Sequence, residues 1–245
     1  MVIWKVCLTL GWAVTADPTK RADLVFRWDK STFAEDDEVL ERVTVARPVV
    51  NRACVDISKN HVNEVFEEAF GYNLGVNPLT HVGECVEKSD LNAVHDGRII
   101  NCPIEHADAG SSYQRVVDNV GDDGRIVDFR VPIIAGTIPF VYLRYRPVAR
   151  RFHSGNEHVE LANLYDMLSQ QEVADVLRFC RLLGMDYGEL DVLRDRVDKR
   201  LYVVDANTTP WGPPSGISRV DGKRAITLLA AAFQSEFLLK GEWSV

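Results

Sequence analysis

The stretch Tyr187-Gly188-Glu189-Leu190-Asp191-Val192-Leu193-Arg194, with Leu201-Tyr202-Val203-Val204-Asp205-Ala206-Asn207-Thr208-Thr209-Pro210 after it, decides how this chain is read. Two apolar, alternating runs flank the polar turn Arg196-Val197-Asp198-Lys199-Arg200, which predicts two adjacent antiparallel strands. Side chains alternate faces along a strand, so Asp205 and Asn207 are expected on the same side. Asp191, on the neighbouring strand, can join them. Two carboxylates and an amide oxygen on one sheet face form a hard, all-oxygen donor set of the kind Mg²⁺ prefers, with phosphates completing the shell. A hairpin whose polar face is simply solvated is the competing reading of the same residues.

Working outward, composition narrows the class. A chain of 245 residues, 46% hydrophobic and 26% charged, suits a globular protein of one or two domains with a sizeable core. Its net charge of -8 argues against a general nucleic-acid binder, which needs a basic surface for phosphate contacts. Cys7, Cys54, Cys85, Cys102 and Cys180 are odd in number and form no CxxC pair, which favours reduced thiols over a disulfide framework or a zinc site. No run approaches the roughly 18 apolar residues of a membrane span.

Taken in order, Val2–Leu10 and Ala22–Trp28 read as strands separated by the turn signal Asp17-Pro18, and Glu35–Arg42 as a short helix. Ser58 is the expected N-cap of a helix over Asn60–Ala69, with Val62, Val65, Phe66 and Ala69 at helical spacing and Gly71 ending it. Lys59 stands at that helix start, where a cation is slightly unfavourable against the dipole. His81–Lys88 alternates as a strand, delivering Lys88 at its end, and Ser89–Gly97 is a loop carrying Asn92 and His95. Tyr113–Asn119 alternates again, and Gly121-Asp122-Asp123-Gly124 is a hairpin turn. Arg125–Ala135 and Thr137–Tyr145 read as paired strands that put Asp128 with Arg130, and Arg144 with Arg146, each on one face. Guanidinium forks at such places suit phosphate or carboxylate oxygens, although arginines on an edge hairpin also pair with surface acids. Ser169-Gln170-Gln171-Glu172 is a capping box opening a helix with the stripe Val173, Val176, Leu177, Cys180 and Leu183. Trp211-Gly212-Pro213-Pro214-Ser215-Gly216 is a rigid loop, and Lys223–Leu239 a final core helix.

In this series the pieces resemble the ATP-grasp superfamily, in its glutathione-synthetase-like and ribosomal-protein-glutamate-ligase-like carboxylate-amine ligase branch, over roughly residues 51–214. The resemblance implies an α/β (α+β) fold in which two α+β subdomains grip ATP. The N-terminal segment, residues 1–50, would be a shortened α/β piece, residues 51–112 the small subdomain and residues 113–245 the C-terminal subdomain with the metal site. It implies ATP and Mg²⁺ as cofactors, with Mn²⁺ an acceptable substitute, on Asp191, Asp205 and Asn207. Lys59 and Lys88 would contact the phosphates. Gln114, Val116, Val117 and Asp118 would line the base and ribose, and Asn156 also falls among the nucleotide-binding positions. Arg130 and Arg146 would be the catalytic arginines.

Three departures matter. Asp205 stands where the family usually has Glu, which leaves one metal or two open. The loop after Lys88 is poor in glycine. The arginine that D-alanine ligases carry just before the first metal Asp is Glu189 here, so that specificity is not expected. The implied activity is ATP-dependent joining of a small-molecule carboxylate to an amine through an acylphosphate; a small-molecule kinase and a non-catalytic nucleotide-binding protein are the alternatives. Such chemistry implies a cytoplasmic protein with no nucleic-acid or membrane partner, and leaves a homodimer open. Lys5 followed by Val6–Ala16 loosely imitates a signal peptide, but the apolar run is short and interrupted.

Overall fold

A computed structural model describes residues 1–35, 38–46, 49–153 and 155–239. The elements run α1 (Val2–Leu10), β1 (Val25–Phe26), α2 (Glu38–Ala46), β2 (Val49–Val50), α3 (Lys59–Phe70), β3 (Gly83–Ser89), β4 (Arg98–Cys102) and β5 (Ser111–Arg115). The chain continues with β6 (Arg125–Ile134), β7 (Val141–Pro147), β8 (His158–Ala162), α4 (Leu164–Met167), α5 (Gln170–Leu183), β9 (Tyr187–Arg194), β10 (Leu201–Asn207) and α6 (Arg219–Gln234). Five strands form an antiparallel sheet in the order β10-β9-β6-β7-β8, and β4-β3-β5 form a smaller antiparallel sheet. β1 and β2 pair in parallel as a two-residue ribbon. Among the described residues, no helix is long and apolar enough to cross a membrane.

One face of the large sheet is apolar throughout. Phe129, Val131, Ile133, Val141, Leu143, Leu190, Val192 and Val203 meet Val62, Val65 and Phe66 of α3 and Val176, Phe179 and Cys180 of α5 in the main core. α5 starts on the expected capping box, with Ser169 and Glu172 satisfying each other's backbone N–H, and ends at Gly184 in the left-handed conformation. A side chain at Gly184 would also lie 2.6 Å from the Ala53 backbone, so this junction requires glycine twice over. The opposite face is divided. At one end Ile134, Phe140, Tyr142 and Tyr187 pack beneath α1 and α6, with Val2, Val6, Leu229 and Phe233. At the other end the strands carry charges.

Four expectations need correction. Val2–Leu10 is a helix, not a strand: Val2 and Val6, one turn apart, bury against α6, and Gly11 closes the helix in the left-handed conformation. Tertiary packing there overrides the strand preference of β-branched residues. Only Val25–Phe26 of the segment Ala22–Trp28 is strand, and it pairs with Val49–Val50. The short helix expected over Glu35–Arg42 is found at Glu38–Ala46; Asp36 and Asp37 lie outside the described residues. The expected strand Tyr113–Asn119 leaves the sheet at Arg115, and the chain crosses irregularly towards β6 through Val116–Asn119.

Candidate active site

β9 and β10 form the antiparallel pair expected from their alternation, but not with a continuous register. Val203 faces Val192, whereas Asp205 faces Asp191 and Asn207 faces Glu189, with Val204 as the extra residue between them. This β-bulge reverses the alternation of β10. Val203 and Ala206, three residues apart, both enter the main core, and Asp205 and Asn207 are turned to the face of Asp191. Without the bulge, the two polar side chains would continue the face of Val203. The bulge also turns the Val204 carbonyl to Lys88, whose Nζ donates to it at 2.8 Å.

Around that pair, β6 and β7 supply the cations. Arg130 is paired in register with Asp191 and holds it as a fork, Nε at 2.9 Å and Nη2 at 3.2 Å. Arg144 donates to the same carboxylate from Nη1 at 2.9 Å and to Asn156 Oδ1 from Nε at 3.1 Å. Asn156 in turn donates to the Ser215 carbonyl. Burial opposes ionisation of Asp191, but Arg130 and Arg144 outweigh it and hold its carboxyl well below the usual range. Asp205 is different. Burial pushes its carboxyl up against the pull of Lys59 and Lys88, its nearest cation is Lys59 Nζ at 3.7 Å, and its buried Oδ1 has no hydrogen-bond partner. Lys59 is itself buried at the first turn of α3 and donates to the Leu91 carbonyl at 2.8 Å. Burial lowers the Lys88 ammonium to about 8, with Asp205 opposing the shift.

The structure therefore brings Lys59, Lys88, Arg130, Asp191, Asp205 and Asn207 to one place, from α3, β3 and the large sheet. Among the described residues no three His, Cys, Asp or Glu side chains are grouped to hold a metal. The donor set is two carboxylates and an amide. The orphaned Asp205 Oδ1 and the register-paired Asp191 fit a hard divalent cation, and Asn207 Oδ1 accepts only from Thr209, N–H at 2.9 Å and hydroxyl at 3.4 Å.

Other expected residues are placed differently. Arg146, expected beside the reaction, is buried between Asp128 and the His153 carbonyl and makes its ion pair to Asp128, not Asp191. It lies opposite Ile126, two residues along β7 from the Asp128–Arg144 pair and on the same face. Arg144 takes the position next to Asp191; sequence alternation put both arginines on this face without deciding between them. Gln114 is buried and donates to Asn63 of α3 at 2.7 Å. Val117 is in the main core and its carbonyl accepts from Arg151 at 3.2 Å; Val116 is half-buried beside it. Asp118 pairs with Arg196 at 2.9 Å. Glu189 is the residue that sequence reasoning passed over as a site member. It is buried on the same face, 3.6 Å from Arg130, with Oε2 unpartnered and its carboxyl raised by burial. Its alternation with Asp191 was the available signal.

No protein-family model matches the chain, and no curated protein sequence is significantly similar to it. Solved structures are similar to it. The ATP-grasp ligase PsnB complexed with minimal precursor aligns over 81% of this chain and 67% of its own, with TM-score 0.55 and 18% identity. In its complex with precursor peptide PsnA2 and AMPPNP the aligned share of PsnB is 64%, so this chain spans about two thirds of that ligase. D-cycloserine synthetase DcsG aligns over 95% of this chain and 93% of its own, with TM-score 0.54 and 15% identity. An L-amino acid ligase from Bacillus licheniformis aligns over 84% and 55%, with TM-score 0.50 and 16% identity. PsnB has also been solved with Mg and ADP.

Proposed function

This chain has the ATP-grasp fold, and from that premise we propose that it is an ATP-dependent carboxylate-amine ligase. The observation that carries the reading is the convergence of Asp191, Asp205 and Asn207 of the large sheet with Lys59 of α3 and Lys88 of β3 around a buried Asp205 oxygen without a hydrogen-bond partner. Asp191, Asp205 and Asn207 would hold Mg²⁺, which neutralises phosphate charge when bound. Lys59 and Lys88 would contact ATP phosphates. Arg130, already on this face, would stabilise charge developing on the transferred phosphoryl group or on the carbonyl oxygen. Arg144 and Asn156 would position Asp191 and are not assigned a direct role in the reaction. The residues act by placement and charge neutralisation, with a substrate carboxylate attacking the γ-phosphorus of ATP, ADP leaving, and an amine then displacing phosphate from the acylphosphate.

The test is release of ADP and phosphate from Mg-ATP across a panel of small acids and amines, with Asp191→Ala and Lys88→Ala in parallel. Release of both products that depends on acid and amine together, and is lost in both variants, is expected. ADP without free phosphate, with a phosphorylated acceptor, would replace the ligase by a kinase. Absence of Mg-ATP binding would sink both.

A further inference from the structure

A second concave site lies away from the charged sheet face, between α1 and the first half of α6. It is an open groove of about 590 Å³, lined by Lys5 and Thr9 of α1, by Arg219, Lys223 and Ile226 of α6, and by Ile217 before it. Arg219 and Lys223 stand one turn apart on one helix face, as do Lys5 and Thr9 on the other. Among the described residues no acidic side chain lines the groove; Asp221 lies at its edge and accepts from the Ser218 hydroxyl at 2.7 Å. Among the described residues, Arg219 and Lys223 make no ion pair, and Lys5 makes only a 3.3 Å bond to the Gly212 carbonyl. Three cations thus line one groove without an ion pair among the described residues, in a chain of net charge -8. Between them an apolar strip of Pro213, Ile217 and Ile226 runs among the polar groups of Thr9, Ser218 and Thr227. Its volume is that of a small-molecule site rather than of a single phosphate.

We propose that this groove binds a small organic polyanion, two or more carboxylates carried on an apolar body, with Lys5, Arg219 and Lys223 meeting the charges and Ile217 and Ile226 the body. The apolar surface between the cations favours such a ligand over a bare inorganic ion, and the uncompensated positive rim excludes a cationic one. The site is independent of the ligase reading. The turn at Gly212–Pro213 lies between it and Glu189, with Gly212 against Glu189 and Pro213 lining the groove.

The experiment is calorimetric titration of the full chain, without nucleotide, with suberate, with inorganic phosphate, and with the diamine of the same chain length as suberate. Suberate is expected to bind, phosphate about tenfold more weakly or less, and the diamine not at all. Arg219→Ala combined with Lys223→Ala should weaken suberate about tenfold or more. Both residues are exposed, so the fold is expected to persist; circular dichroism checks it, and the paired Gln substitutions repeat the test should the alanine variant unfold. No suberate binding, equal binding of suberate and phosphate, or suberate affinity unchanged in the double variant would each overturn the proposal.

Discussion

Lys88 holds an ammonium where burial opposes it, and this makes the site sensitive to pH. Its folded value of about 8 lies below the ordinary value of 10.5. Between those limits the unfolded chain binds the proton more tightly than the folded one. Lys88 therefore contributes rising stability as pH increases from about 8 to 10.5, and its desolvation cost is fully present below that window. Urea midpoints of the nucleotide-free chain should show this rise relative to Lys88→Met, in which it is absent. ATP phosphates would favour the charged form, so binding of Mg-ATP near pH 8.5 should take up protons. Titration calorimetry in buffers of different ionisation enthalpy measures that uptake, and Lys88→Met should abolish it. The arginines divide at the same scale. Arg146 serves Asp128 and the His153 carbonyl, so Arg146→Met is expected to cost about 3 kcal/mol or more in stability by leaving Asp128 with one weak cation partner. Its surviving folded fraction should keep Mg-ATP affinity. Arg130→Met, by contrast, should reduce turnover far more than its effect on the urea midpoint accounts for.

At the scale of elements, the bulge in β10 does most to build the site. A single extra residue at Val204 moves Asp205 and Asn207 from the core-facing alternation to the face of Asp191 and exposes a carbonyl for Lys88. The start of β9 keeps the end of β10 close: a side chain at Gly188 would lie 2.6 Å from the Asn207 carbonyl. That atom is backbone and cannot swing away. Gly188→Ala is therefore expected to push β10 outward at Asn207 and weaken Mg-ATP binding by about tenfold or more, from an interaction loss of about 1.4 kcal/mol. Equilibrium titration with Mg-ATP, read beside a circular dichroism spectrum, checks it; undiminished affinity would mean that Asn207 does not contribute.

For the whole molecule, the small sheet meets the large one through Lys88 on the Val204 carbonyl and through Arg115 on Tyr202 and Asp198, while α3 brings Lys59 to Asp205 and packs on α5 in the main core. A ligand seated between the lysines of α3 and β3 and the oxygens of the large sheet would tie these elements together. Saturating Mg-ATP, at about a hundred times its Kd, should stabilise the chain by about 2.7 kcal/mol, visible as a rise in Tm. ATP with a chelator should give a smaller rise. Asp205→Asn should narrow the gap between the two, because the orphaned oxygen that suits a cation loses its charge.

Much of this arrangement was legible before any coordinates. The alternation around Asp191, the capping box at Ser169 and Glu172, and the helix beginning beside Lys59 are local patterns whose period and termini are written in adjacent residues. The placement of Asp128 with Arg130 on one strand face followed equally from period two. What required the tertiary structure was whatever depended on partners distant in the chain. Val2–Leu10 is helical because α6 covers its Val2 and Val6 side, which nothing within nine residues announces. Arg144 rather than Arg146 reaches Asp191 because strand register selects between side chains of identical type and face. The alternation of Leu201–Asn207 is broken by a bulge at Val204, and local sequence cannot rank Val203 and Val204, since either could pack inward. The sequence by itself determined the elements, the charges and the order in which they arrive; register, bulge and burial, set by residues far apart in the chain, decided which of those charges meet.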